Sequence, residues 1–178
     1  MTLLQSGLTY PAAAIVCALA GSVFDVKSRR IPNFVTVPAF LLGLSMHFLL
    51  GGWRQFLSSL AAGVICGLVF LVFYLAGGMG AGDVKLIMAV GCVAGLPHVA
   101  YLLVLTAISG GVMAICLALY RGRLQQTIMN VGELASHHTR QGLEPHPDLN
   151  ISNAQTLRLP YALAIAGGSI LTLYFQVA

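Results

Sequence analysis

The chain has 178 residues, of which 58% are apolar and 8% charged, with 9 Lys+Arg against 5 Asp+Glu. A soluble domain carries about 25% charged residues, and so few charges cannot cover the surface of one this long. Composition therefore excludes a secreted or cytosolic globular enzyme. It points to an all-α, polytopic membrane helix bundle, since six apolar stretches of about 20 residues would use most of the chain.

Met1–Phe24 contains no Lys or Arg, so the positive n-region of a cleavable signal peptide is missing and the run reads as the first span. Apolar runs place span 1 near 8–24, span 2 near 34–50, span 3 near 56–76 and the last span near 160–177. Between them, Val84–Tyr120 holds only Lys85 as a charge; as one helix it would be about 55 Å long, nearly twice the hydrocarbon thickness. Gly95-Leu96-Pro97-His98 supplies a break, which predicts two spans, near 86–95 and 99–120. The first is short and is expected to enter the bilayer from a recessed loop.

Charge distribution supports this division. With six spans, Lys27, Arg29, Arg30, Lys85, Arg121, Arg123, Arg140 and Arg158 share one side and Arg54 stands alone on the other. That is a strong positive-inside bias, and it disappears if Val84–Tyr120 crosses once. Both termini are then expected outside the cytoplasm, in a multi-pass protein of the inner (cytoplasmic) membrane. The basic residues lie in the connections, which suits topology and argues against a nucleic-acid partner. Ser59, Gly63 and Gly67 recur four apart, as do Gly91 and Gly95, and would let helices approach closely.

The longest connection, residues 121–159, opens with Leu124, Ile128, Val131 and Leu134 at helical spacing. This predicts a helix over about 124–135 lying on the cytoplasmic membrane surface. From His137 to Asn153 the composition is that of a loop. His137, His138 and His146 lack a second ligand pair, and Cys17, Cys66, Cys92 and Cys116 form no CxxC, so neither a metal nor a disulfide framework is expected. His47 lies inside span 2, where an imidazole is expected to find a polar neighbour in the bundle.

Of the five acidic residues, Glu133, Glu144 and Asp148 belong to this connection. The other two, Asp25 and Asp83, are separated by two spans and so share the cytoplasmic face. An ionisable residue at the edge of an apolar run marks a functional site unless it is merely a solvated helix end, a role that would also suit Asp83. The flanks favour function. Asp83 follows Gly77-Gly78-Met79-Gly80-Ala81-Gly82, a backbone that an extended peptide could approach closely, and Asp25 precedes a basic turn and Ile31-Pro32-Asn33. Two carboxylates brought together cannot both ionise easily: one keeps its proton as general acid while the other activates water, and the pair titrates as a unit. The glycine-rich loop and short span 4 suggest a pair not held at hydrogen-bond separation.

Asp25 with Ile31-Pro32-Asn33, and then Gly80-Ala81-Gly82-Asp83-Val84-Lys85, resemble the type IV prepilin peptidases, GxGD intramembrane aspartyl proteases. Leu159-Pro160-Tyr161-Ala162-Leu163, opening the last span, resembles the C-terminal segment of that family. The resemblance implies a catalytic pair, Asp25 and Asp83, supported by Ile31, Pro32, Asn33, Gly80, Gly82 and Lys85. It implies a prepilin or pseudopilin substrate whose basic leader is cut at the cytoplasmic membrane face, without a cofactor. Larger members also methylate the new N-terminus through an inserted cytoplasmic segment. Here only eight residues separate Asp25 from Phe34, so peptidase activity alone is expected, as in compact members serving Flp-type pili. Archaeal preflagellin peptidases are of comparable size.

Lys85 would favour the ionised form of Asp83 if it lay beside it, whereas Lys27, Arg29 and Arg30 serve topology. Three rival readings have distinct signatures. A small transporter would carry its carboxylates near the bilayer midplane in broken helices. An idle scaffold would have no use for two aspartates and a glycine loop. A protease of the signal peptide peptidase or presenilin type would place the aspartates on adjacent spans, followed by Pro-Ala-Leu.

Overall fold

A computed structural model describes residues 9–144, 149 and 159–177, and among these the regular structure is entirely helical. His146, Asp148 and Arg158 lie outside the described residues. The first helix, α1, spans Thr9–Ser28, and Pro11 sits in its first turn, where a missing N–H costs nothing. It ends where Arg29 turns left-handed (φ 51°) and donates its N–H to the Asp25 carbonyl at 2.8 Å. Pro32, in extended conformation (φ −74°, ψ 148°), then caps the next helix, α2, over Asn33–Leu75.

At 43 residues α2 is about twice a span, and it is broken at Gly52, whose φ of 68° and ψ of −162° are essentially restricted to glycine. The break folds the segment back on itself. Phe40 precedes it by about as many residues as Gly63 follows it, and a Cβ at Gly63 would stand 3.3 Å from the Phe40 ring. Trp53 stacks on Phe56 at the bend, with ring centroids 5.0 Å apart. Three helical segments, Thr9–Ser28, Asn33–Leu75 and Leu96–Tyr120, are long and apolar enough to cross a membrane, and Tyr161–Gln176 is a shorter apolar helix.

The short helix α3, Ala81–Ala94, occupies the centre. Leu86, Ile87, Ala89, Val90 and Cys92 have no exposed surface, as expected for a helix apolar on every side. Its neighbours approach it through small residues. A Cβ at Gly63 would lie 3.0 Å from the Met88 carbonyl oxygen, one at Gly43 would lie 2.9 Å from the Val93 nitrogen, and one at Gly91 would lie 2.6 Å from Cys66 Sγ. Ser59 donates its hydroxyl to the Cys92 carbonyl at 2.7 Å. On the opposite side, Gly21 of α1 receives the Leu86 side chain.

After Gly95 and a 3₁₀ turn at Leu96–His98, α4 covers Val99–Tyr120. His47 is buried, with Nε2 3.1 Å from the Val93 carbonyl and its ring stacked on Tyr10. All four cysteines are free thiols. Helix α5, Leu124–Gln141, buries none of its residues and runs through His137 and His138, which composition had placed in a loop. The last helix, α6 (Tyr161–Val177), lies between α1 and α4: Ser22 of α1 donates to the Ala162 carbonyl at 2.8 Å, and Gly168 meets the Thr106 backbone.

The break at Gly52 is conformational and not steric, because nothing lies within 4 Å of where its Cβ would be. Gly52→Ala is therefore expected to destabilise the protein by about 1–3 kcal/mol. Gly111→Ala, at an equally open position inside α4, is expected to be neutral or stabilising. Thermal unfolding of the two variants in detergent checks the contrast.

Candidate active site

Asp25 stands in the last turn of α1 and Asp83 in the first turn of α3. Both line one cavity of about 310 Å³, together with Arg29, Met79, Pro160 and Tyr161. The two carboxylates thus meet although 58 residues separate them, and they lie within electrostatic reach of each other. No hydrogen bond joins them among the described residues; each is held by a different backbone group.

Asp83 is the deeper of the two, 9% exposed. Its Oδ2 accepts the Gly80 N–H at 3.2 Å, while the Asp83 N–H donates to the Gly80 carbonyl at 3.1 Å. This reciprocal pairing closes the first turn of α3, and a carboxylate there also complements the helix dipole. Its Oδ1 is buried with no hydrogen-bond partner among the described residues. One acceptor of the carboxyl is therefore anchored and the other is uncommitted. Asp25 is only partly buried, and its Oδ2 accepts the Ala162 N–H from the start of α6 at 3.4 Å. The exposed Arg29 lies close enough to act on it electrostatically.

The two quoted motifs meet in space. A Cβ at Gly82 would lie 3.2 Å from Ile31 Cβ and 3.4 Å from the Ile31 nitrogen, so glycine lets α3 dock against the link between α1 and α2. A Cβ at Gly80 would lie 3.3 Å from Asp83 Oδ2. Ile31 is buried in the core, Pro32 starts α2, and Asn33 Oδ1 accepts from Lys85 Nζ at 3.0 Å. Lys85 is thus committed to Asn33. Residues two apart on a helix do not face each other, which accounts for its turning away from Asp83.

Tyr161 and Ala162 were quoted in the resemblance without a role, and Met79 and Arg29 without a place in the site. Spacing along the chain cannot reveal cross-helix contacts. One signal was present: Pro160 opens the last apolar run, and a helix start carries free N–H groups. His137 and His138 do not line the cavity, and among the described residues no group of three or more His, Cys, Asp or Glu is assembled to hold a metal.

The contacts of the two motifs differ in weight. Gly82→Val forces α3 away from Ile31 and is expected to destabilise the protein by about 1–3 kcal/mol. Lys85→Met loses one exposed hydrogen bond and is expected to cost about 1 kcal/mol or less. Thermal melts of purified variants in one detergent distinguish them.

Among curated proteins, the chain is similar to a preflagellin peptidase of Methanococcus voltae, 31% identical over 85 residues. The aligned part is 45% of this chain and 36% of that protein, so the chain spans about a third of the length of the relative it matches. No solved structure matches significantly. The model of the type IV leader peptidase family matches residues 12–115, more than half of the chain and both aspartates. The chain belongs to the type IV leader peptidase family.

Proposed function

We propose that this protein is a membrane-embedded aspartic endopeptidase that removes the basic leader from a type IV prepilin, with Asp25 and Asp83 as its catalytic pair. The observation that carries the reading is the convergence of these two carboxylates, from the ends of α1 and α3, on one cavity. Family membership supports the reaction class. In hydrolysis, one carboxylate takes a proton from the attacking water while the other protonates the scissile peptide; a pair in different surroundings suits that division. Among the described residues neither carboxylate is hydrogen-bonded to the other, and the cavity of about 310 Å³ that both line can hold the attacking water.

The six-span reading divides α2 at Gly52 and counts α3 as a short span. It puts the cavity at the cytoplasmic face of the inner membrane, with Lys27, Arg29, Arg30 and Lys85 on the same side and both termini opposite. A leader peptide in the cytoplasm, followed by an apolar helix in the bilayer, would present its junction at that level. Four residues, Arg29–Pro32, join α1 to α2 and leave no room there for a methyltransferase insertion, which favours peptidase activity alone. So short a link favours an Flp-like prepilin as substrate. The Methanococcus voltae relative favours a second reading on the same chemistry, cleavage of a preflagellin. A transport role fits less well, since both carboxylates stand at helix ends.

Co-expression with an Flp-type prepilin, followed by the mobility shift of the precursor, tests the proposal. Wild type is expected to cut, while Asp25→Asn and Asp83→Asn, inserted at normal levels, lower the rate by about 10²–10⁴-fold. Cleavage by either variant at the wild-type rate would refute the dyad. Cutting of a preflagellin but not of the prepilin would select the second substrate.

A further inference from the structure

The cavity has a third wall that the dyad does not account for. Tyr161 lines it between Pro160 and the two aspartates, packed against the hydrophobic core. The backbone that carries it is fixed on both sides. Ala162 is fully buried; its N–H donates to Asp25 Oδ2, and its carbonyl accepts Ser22 Oγ at 2.8 Å. The Leu163 N–H closes the first turn onto the Pro160 carbonyl at 3.0 Å. The point from which the ring projects into the cavity is therefore fixed.

Its hydroxyl is uncommitted. Tyr161 is partly buried, and no described residue hydrogen-bonds to its hydroxyl, although it lies within electrostatic reach of Asp83. Two of the backbone donors beside the aspartates are already used: Gly80 N–H serves Asp83 and Ala162 N–H serves Asp25. A peptide carbonyl entering the cavity would find those two donors taken and the phenol of Tyr161 available.

We propose that Tyr161 is a further catalytic residue, whose phenol donates a hydrogen bond to the carbonyl oxygen of the scissile peptide as that oxygen gains charge. This rests on the reading of Asp25 and Asp83 as the catalytic pair. Water oxygen bonds to the carbonyl carbon and gives its proton to one carboxylate, and the π electron pair moves to the carbonyl oxygen facing Tyr161. When the C–N bond breaks, the departing nitrogen takes a proton from the pair and the carbonyl re-forms. Tyr161 donates throughout and loses no proton. A donor aimed at developing charge is stronger in the transition state than with bound substrate, so it acts on kcat more than on KM.

The test uses the full chain purified in detergent and a synthetic peptide made of a basic leader joined to an apolar segment. Tyr161→Phe keeps the ring and removes only the donor. It is expected to lower kcat at least about tenfold, with KM within about threefold of wild type and an unchanged melting temperature. It should also weaken binding of a statine-type analogue, which carries a tetrahedral carbon bearing a hydroxyl, without weakening an uncleaved product peptide. A purely structural ring would leave that ratio unchanged. Wild-type kcat in Tyr161→Phe, or a rise in KM alone, would overturn the assignment while Asp83→Asn still abolishes cleavage. Full activity in Asp83→Asn would overturn the dyad, and this inference with it.

Discussion

The arrangement depends on one short helix being packed at the centre of the others. Helix α3 has 14 residues, about 21 Å of rise, against a hydrocarbon core of about 30 Å. It is therefore shorter than a helix needs to be to cross that core. Largely buried, α3 is met by its neighbours directly along its backbone, and Gly43, Gly63 and Gly91 provide that contact. Its first turn lines the cavity, and the carboxylate carried in that turn sits inside the protein instead of at its rim.

Around this floor the other elements supply complementary parts. The end of α1 brings the second carboxylate, and the link to α2 docks on the glycine of the α3 first turn through Ile31. Lys85 and Asn33 fasten the same corner from its solvent side. The start of α6 adds a donor to Asp25 and an aromatic wall. Each carboxylate therefore has its own backbone partner from a different helix end. One backbone N–H at each of those helix starts is satisfied by the site itself.

Much of this was legible in the amino-acid order. An all-helical membrane protein follows from the scarcity of charge, and Asp25 and Asp83 stand out because every other acidic residue lies in one polar connection. The close-packing role of Gly63 and Gly91 follows from their spacing. What could not be read is how the segments meet. Nothing local marks Gly82 as the seat of Ile31, or Tyr161 as a neighbour of Asp83, because those contacts join positions tens of residues apart. Nor does nearness in sequence decide whether Lys85 stands beside Asp83; helical geometry turns it toward Asn33. The extension of α5 through His137 and His138 was hidden because apolar periodicity stops at Leu134, and an exposed helix needs none beyond it.

The hydrogen bonds that tie Ala162 to Asp25 and Ser22 also set an order of events. Helices α1, α2 and α3 leave the ribosome early, and the segment that closes the cavity emerges about 80 residues after Asp83. During insertion, Asp25 lacks its donor and the cavity lacks a side. Any chemistry that needs the complete enclosure is silent until α6 has docked. A protein synthesised among other nascent apolar helices would in this way be kept from acting on them before its own fold is finished.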